Sequence, residues 1–321
     1  MTLRRAASSA SSPPGCRHDA GIFSSTSDLL ATVVPFLDEA AEFGIPAVVR
    51  LGADLAAVVR ERVSSPECAV FVEGGDVANP VLATRTMTES VAQHLRGGAG
   101  QVRVVACVPR PSQSSAEGWE PWARMEAALN RTFAQLPVWG ICCYAAPPAG
   151  VVADIHATHT GVLRAGGWQP SREYVEPELF MAGRALLPVE ELAETPPSLA
   201  MIDPHPGLAR EGVRRLTERA GFGTGQADDL VLAVNEILSN GFVHGIAPVL
   251  LCGWVTDGEV LFTVRDAGGG ITNPFTGMTA PDKDHDRMGG HGLWLARVCA
   301  DLVGFASAPD GFTVRLTARA R

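Results

Sequence analysis

Residues 226–245 read QADDLVLAVNEILSNGFVHG, and within them Ala227, Leu230, Val231, Val234, Ile237, Leu238 and Gly241 recur at helical spacing. The spacing predicts a helix with one apolar face, suited to lie on a sheet. Glu236, Asn240 and His244 follow one another at every fourth position, so their side chains form a row on the face left for polar groups. A carboxylate and a carboxamide one turn apart suit two tasks: a base or water-positioner, and a neutral oxygen ligand for Mg²⁺. Taken alone, E-x-x-x-N is also the pattern of a solvated helix face.

Two glycine-rich stretches follow. The predicted strand Val260–Asp266 runs into DAGGG, Asp266 to Gly270, where glycines let backbone approach a ligand and a carboxylate can accept a hydrogen bond from a base amino group. A plain loop turn fits the same letters. Further on, in GGHGLWLARVCADL, Gly289, Gly290 and Gly292 open a helix predicted over Leu293–Leu302. Free N–H groups at a helix N-terminus bind phosphate. Neither stretch is a Walker A loop or a G-x-G-x-x-G dinucleotide loop.

Working outward, the strand pair meeting at Asp257–Gly258, the helices over Gly207–Ala220 and Gln226–Val243 and a last strand predict an α+β two-layer sandwich. Before them, Leu187–Pro206 collects five prolines among Glu, Ser and Thr and reads as a linker without helix or ladder. From Arg17 to Arg184 the pattern is α/β, a parallel sheet with flanking helices. Its strand runs are Ile45–Leu51, Ala69–Glu73, Val102–Val108 and Val138–Tyr144, and its helical segments Ser27–Glu42, Leu55–Val63, Val81–Leu95, Trp122–Gln135 and Val151–Arg164. The expected organisation is a disordered Ser/Ala/Pro tail over 1–15, an α/β domain over 16–184, a linker over 185–206 and a sandwich domain over 207–321.

Composition narrows the function. The chain has 321 residues, 46% of them apolar, room for two cores. A net charge of −9 argues against nonspecific binding to nucleic acid or anionic membrane, leaving proteins and small molecules as partners. Seven scattered cysteines without a C-x-x-C pair, no apolar run of membrane length and an N-terminus without an apolar core predict a cytoplasmic protein.

In their order and spacing the motifs of the second half resemble the GHKL (Bergerat) ATP-binding fold shared by histidine kinases, gyrase-type ATPases and anti-sigma-factor kinases. Glu236 and Asn240 match the N box, Asp266, Gly268 and Gly270 the first G box, and Gly290, Gly292 and Leu293 the second. The likeness runs from Leu208 to Arg319. It implies ATP and Mg²⁺ as cofactors, Glu236 as catalytic base and Asn240 as Mg²⁺ ligand. It also implies Asp266 as adenine reader beside the hydroxyl of Thr313, and Gly290, His291, Gly292 and Leu293 as the turn nearest the phosphates. Ile271–Met288 holds the ATP-lid position, with Lys283 and Arg287 as candidate phosphate contacts.

The run GLWLARVCADL looks most like the anti-sigma serine/threonine kinases, which bind a sigma factor and phosphorylate an antagonist protein, and family analogy adds a homodimer. Gly241 and Gly269 depart from that pattern. A non-catalytic nucleotide-dependent switch stays open, and so does a histidine-kinase-related sensor, although no hairpin with a phosphoacceptor histidine precedes Glu236.

In the first half, RHDAGIFSSTSDLLATVVPFLDEAAEFGIPAVV, CAVFVEGGDVANP and EPWARMEAALNRTFAQLPVWGICCY resemble the sensory domain named for methanogens, methylotrophs and the dichloromethane regulator, over residues 16–182. That resemblance implies a P-loop-like sheet without a Walker motif and the sensing of a small organic ligand. His18, Glu73, Arg124 and Glu126 lie near predicted strand ends or on the helix of the last block, where open α/β sheets bind ligands; surface or capping roles fit each as well. His156 and His159 invite a metal reading but lack a third ligand nearby in sequence. Trp119, Trp122, Trp139 and Trp168 could line an apolar pocket or pack the core.

Overall fold

Strands β2 (Ala47–Arg50), β4 (Val102–Cys107) and β5 (Val138–Ala145) are buried along nearly their whole length, because helices cover both faces of their sheet. The computed structural model describes residues 15–73, 77, 79–113, 116–164, 167–182, 184, 195–280 and 291–321. The chain divides into two compact units, Met1–Gly183 and Arg184–Arg321.

In the first unit seven strands lie in the order β3-β2-β4-β5-β1-β6-β7, adding β1 (Arg17–Phe23), β3 (Ala69–Phe71), β6 (Gly161–Arg164) and β7 (Gly167–Pro170). All neighbours are parallel except β7, which runs antiparallel to β6. Helices α1 (Thr26–Glu42) and α2 (Ala53–Arg62) cover one face, where Val33, Phe36 and Val59 pack on Val49, Val105 and Ile141. The alternate strand residues Arg50, Val104 and Cys142 face α3 (Pro80–Arg96) and α4 (Ala116–Phe133), which supply Met87, Trp122 and Glu126. Two further helices follow, α5 (Ala149–Thr158) and α6 (Pro177–Ala182).

Two sequence expectations change here. Strand β1 was not anticipated, because Arg17, His18 and Asp19 interrupt its apolar pattern; each of the two buried ones is satisfied by partners from distant segments. The helix expected over Val151–Arg164 stops at Thr158, and Gly161–Arg164 becomes β6, since Val162 and Leu163 are buried beside β1.

The second unit is a two-layer sandwich. Its antiparallel sheet has the order β11-β12-β10-β9-β8, formed by β8 (Leu199–Ile202), β9 (Leu250–Thr256), β10 (Glu259–Asp266), β11 (Leu302–Ala308) and β12 (Gly311–Arg319). Helices α7 (Pro206–Arg219), α8 (Thr224–His244) and α9 (His291–Cys299) share one core with one sheet face, in which Leu230, Val234, Leu251, Phe262 and Leu316 are buried. All seven apolar positions anticipated on α8 are buried.

The expected linker is shorter than its proline content suggested: Leu199–Ile202 pairs with β9. The prolines bracket this segment without interrupting it, which leaves its backbone N–H groups free to enter the ladder. Likewise Leu302 begins β11, where the helix over Leu293–Leu302 had been expected to end. The tail over 1–14 lies outside the described residues.

Leu230 is 1% exposed at the centre of the α8 interface. Leu230→Ala is expected to destabilise the second unit by about 2–5 kcal/mol, seen as a lower urea midpoint with an unchanged slope.

Candidate functional site

Burying the apolar face of α8 turns Glu236 and Asn240 toward the first turn of α9, and both side chains remain half-buried. The approach is close. A Cβ at Gly292 would lie 2.5 Å from a Glu236 carboxylate oxygen and 3.5 Å from Nδ2 of Asn240. Glycine leaves that space open, so the α9 start sits against the carboxylate and amide. Leu293, the next residue, is buried in the core and anchors the turn from beneath. His291 is exposed at the first position of α9, and His244, last in the α8 row, is exposed as well.

Asp266 ends β10 below the C-terminus of α8. Its Oδ1 accepts hydrogen bonds from the backbone N–H of Gly268 at 2.7 Å and of Ile246 at 3.3 Å, and the Ala267 N–H donates to the Ile246 carbonyl at 2.8 Å. These bonds tie the first glycine loop to the segment leaving α8. They leave Oδ2 without a partner among the described residues, free to accept from a ligand donor. Gly270 takes φ +77° against the Phe312 ring, a backbone conformation and a contact that a side chain would obstruct.

Thr313 does not join this group. Its register partner on β10 is Arg265, whereas Phe312 lies opposite Asp266. Strand alternation therefore turns Thr313 to the sheet face away from the helices, while Asp266 belongs to the face carrying Val264 and Phe312 in the core. The register that separates them could not be read from the spacing of the two motifs. Gly289, Gly290, Lys283 and Arg287 lie outside the described residues.

The chemistry of the donor set fits a nucleotide with its cation. Glu236 and Asn240 offer one anionic and one neutral oxygen, as hard cations prefer; the α9 first turn offers N–H groups toward phosphate; and Asp266 offers a directed acceptor toward a base.

Of the first-half residues, the structure brings three together and disperses the rest. His18, Glu126 and His159 meet in a buried cluster with Cys142. Glu73 is exposed beyond edge strand β3, Arg124 pairs with Glu120 one helical turn away at 2.7 Å, and His156 lies 3.7 Å from Glu173. The tryptophans serve different places. Trp139 and Trp168 each donate Nε1–H to the buried Asp19 carboxylate at 2.9 Å, Trp119 donates to Asp154 at 2.7 Å, and Trp122 borders the cavity beside Glu126. Sequence reasoning missed Cys142 and Tyr144, which it took as part of an apolar strand. The available signal was their alternate spacing on β5, which sets both on the face that carries His18.

Residues 204–318 match the family model of the Histidine kinase-like ATPase domain, and residues 17–160 that of the MEthanogen/methylotroph, DcmR Sensory domain (MEDS). No curated protein matches the chain. Among solved structures, the RsbU and RsbW domains of Rv1364c from Mycobacterium tuberculosis align at 20% identity with a TM-score of 0.28, over 40% of this chain and 34% of that one. The histidine kinase domain of the E. coli osmosensor EnvZ aligns at 13% identity with a TM-score of 0.24, over 40% of this chain and 92% of that one. The chain thus spans about a third of the Rv1364c structure. Among the described residues no helix is long and apolar enough to cross a membrane.

Gly292→Val fills the space between α9 and the Glu236–Asn240 pair. It is expected to weaken adenine nucleotide binding by about tenfold or more in calorimetry, ~1.4 kcal/mol, with the circular dichroism spectrum retained. The first unit of this chain carries a MEDS-type sensory domain, and the second carries a histidine kinase-like ATPase domain of the GHKL type.

Proposed function

We propose that the second unit is an ATP- and Mg²⁺-dependent protein kinase of the anti-sigma type, acting on a serine or threonine of an antagonist protein and responding to the sensory unit. The observation that carries this reading is the close packing of Gly292 on Glu236 and Asn240, which unites a general base, an oxygen ligand and a phosphate-binding helix start. ATP with Mg²⁺ supplies the transferable phosphoryl group and the counter-charge. Glu236 accepts the proton of the incoming hydroxyl, and Asn240 holds the cation through its carboxamide oxygen. Asp266 orients the base through its free carboxylate oxygen, because its other oxygen is already held by Gly268 and Ile246. The α9 first turn directs N–H groups at the phosphates.

The preference for serine or threonine over histidine rests on the resemblance of GLWLARVCADL to the anti-sigma kinases. On this reading the protein works in the cytoplasm, its partners are a sigma factor and its antagonist, and the active species is a homodimer. A small organic ligand of the first unit sets the activity.

Incubation of the full chain with γ-labelled ATP, Mg²⁺ and candidate antagonist proteins tests the assignment. Acid-stable label on a serine or threonine of an antagonist supports it. Glu236→Ala is expected to lower transfer by about 10²-fold or more while leaving ATP affinity nearly unchanged, and Asn240→Ala to lose the Mg²⁺-dependent part of the affinity. Acid-labile label on histidine would sink the serine/threonine assignment. Tight ATP binding without transfer to any antagonist would leave a nucleotide-gated binding switch in its place.

A further inference from the structure

Four potential ligand atoms converge inside the first unit, all on buried residues. His18 Nε2 lies 3.2 Å from Glu126 Oε2 and 3.2 Å from Cys142 Sγ, Cys142 Sγ lies 3.3 Å from the same carboxylate oxygen, and His159 Nε2 lies 3.7 Å from it. All four atoms are within 4.8 Å of one another, and all four residues are buried. They come from four elements far apart in sequence: strands β1 and β5, helix α4 and the C-cap of α5. A tetrahedral zinc site with bonds of about 2.0–2.3 Å has ligand–ligand edges of roughly 3.3–3.7 Å, close to the 3.2–3.7 Å of these four pairs, while the pairs of His159 with His18 and Cys142 lie within 4.8 Å.

The second layer of contacts sets the ring orientations. Asn130 Nδ2 donates to the Thr158 carbonyl at 2.6 Å, which turns its Oδ1 to accept from Nδ1–H of His18 at 2.9 Å. Nδ1–H of His159 donates to the Ile155 carbonyl at 2.8 Å. With each Nδ1–H held by its own acceptor, Nε2 of each ring is the nitrogen turned toward the centre, the arrangement in which outer-shell acceptors hold metal-binding imidazoles. The Tyr144 hydroxyl donates to the other Glu126 oxygen at 2.8 Å, leaving Oε2 for the centre. Without an ion the same atoms are joined through protons, the Cys142 thiol donating to Glu126 Oε2 at 3.3 Å and His18 Nε2 lying 3.2 Å from that oxygen, so an ion would enter by displacing those protons. A cavity of about 20 Å³ lies beside the cluster, bordered by His18, Glu126, Cys142 and Arg50 but not by His159.

We propose that the first unit binds one divalent transition-metal ion of the zinc class through Nε2 of His18, Oε2 of Glu126, Sγ of Cys142 and Nε2 of His159. Two anionic and two neutral ligands neutralise a divalent ion, which suits a fully buried site. On binding, the Cys142 thiol proton and the proton held between His18 Nε2 and Glu126 Oε2 pass to solvent, freeing the nitrogen and the thiolate sulfur to donate; no electron is exchanged.

The test is a Co²⁺ titration of the full chain after chelator treatment, without nucleotide. One equivalent is expected to bind with the visible bands of a four-coordinate ion and a thiolate-to-cobalt charge-transfer band, and Zn²⁺ is expected to displace it. Cys142→Ser should abolish the charge-transfer band and Cys143→Ser, on the opposite face of β5, should keep it. Asn130→Ala, which removes only the acceptor for His18, should weaken Co²⁺ binding by about 10–100-fold with the band retained. No stoichiometric uptake by the folded chain, a charge-transfer band that survives Cys142→Ser, or unchanged affinity in Asn130→Ala would each overturn the site. No uptake would identify the cluster as a proton-bridged network.

Discussion

Helix α8 is held by its apolar face, and the second unit depends on that one contact. Leu230, Val234, Ile237 and Leu238 are buried against the sheet and neighbouring helices, fixing the rotation of the helix about its axis. The same rotation presents Glu236 and Asn240 to the first turn of α9, since residues that share a helix row cannot turn independently. Core packing and site geometry are therefore one constraint. The short distance from Gly292 to the pair is possible because Leu293, immediately after it, is locked in the same core.

The first unit meets a different constraint, polar groups inside a sheet covered on both sides. Desolvating a charge is costly unless partners replace water. His18 and Asp19 are adjacent on β1 and so face opposite sides of the sheet. Asp19 accepts hydrogen bonds from Trp139, Trp168 and Arg17, while His18 meets Glu126 and Cys142. Burial pushes the Glu126 carboxyl up, but the His18 hydrogen bond, the two imidazoles and the Tyr144 hydroxyl outweigh it and hold the group at about 2. The strand is thus pinned from both faces by polar contacts of long sequence separation.

Much of the second unit was legible from local pattern. The α8 period, the turn at Asp257–Gly258 and the order of Glu236, Asp266 and Gly292 require only spacing to read. What escaped was pairing. Strand β8 hid among prolines, Thr313 is set apart from Asp266 by one position of register, and the α9 end gave way to β11. In the first unit the central apolar strands were plain, whereas β1 was masked by the polar residues that make it distinctive.

By itself the sequence determined the two-part organisation, the α/β and α+β classes, and the row that carries Glu236 and Asn240, because periodicity follows from the fixed geometry of helix and strand. Only the tertiary structure decided that Gly292 seats against that row, that Thr313 faces away from Asp266, and that His18, Glu126, Cys142 and His159 converge. Those outcomes depend on register and on contacts between segments distant in the chain, and no local rule of spacing encodes them.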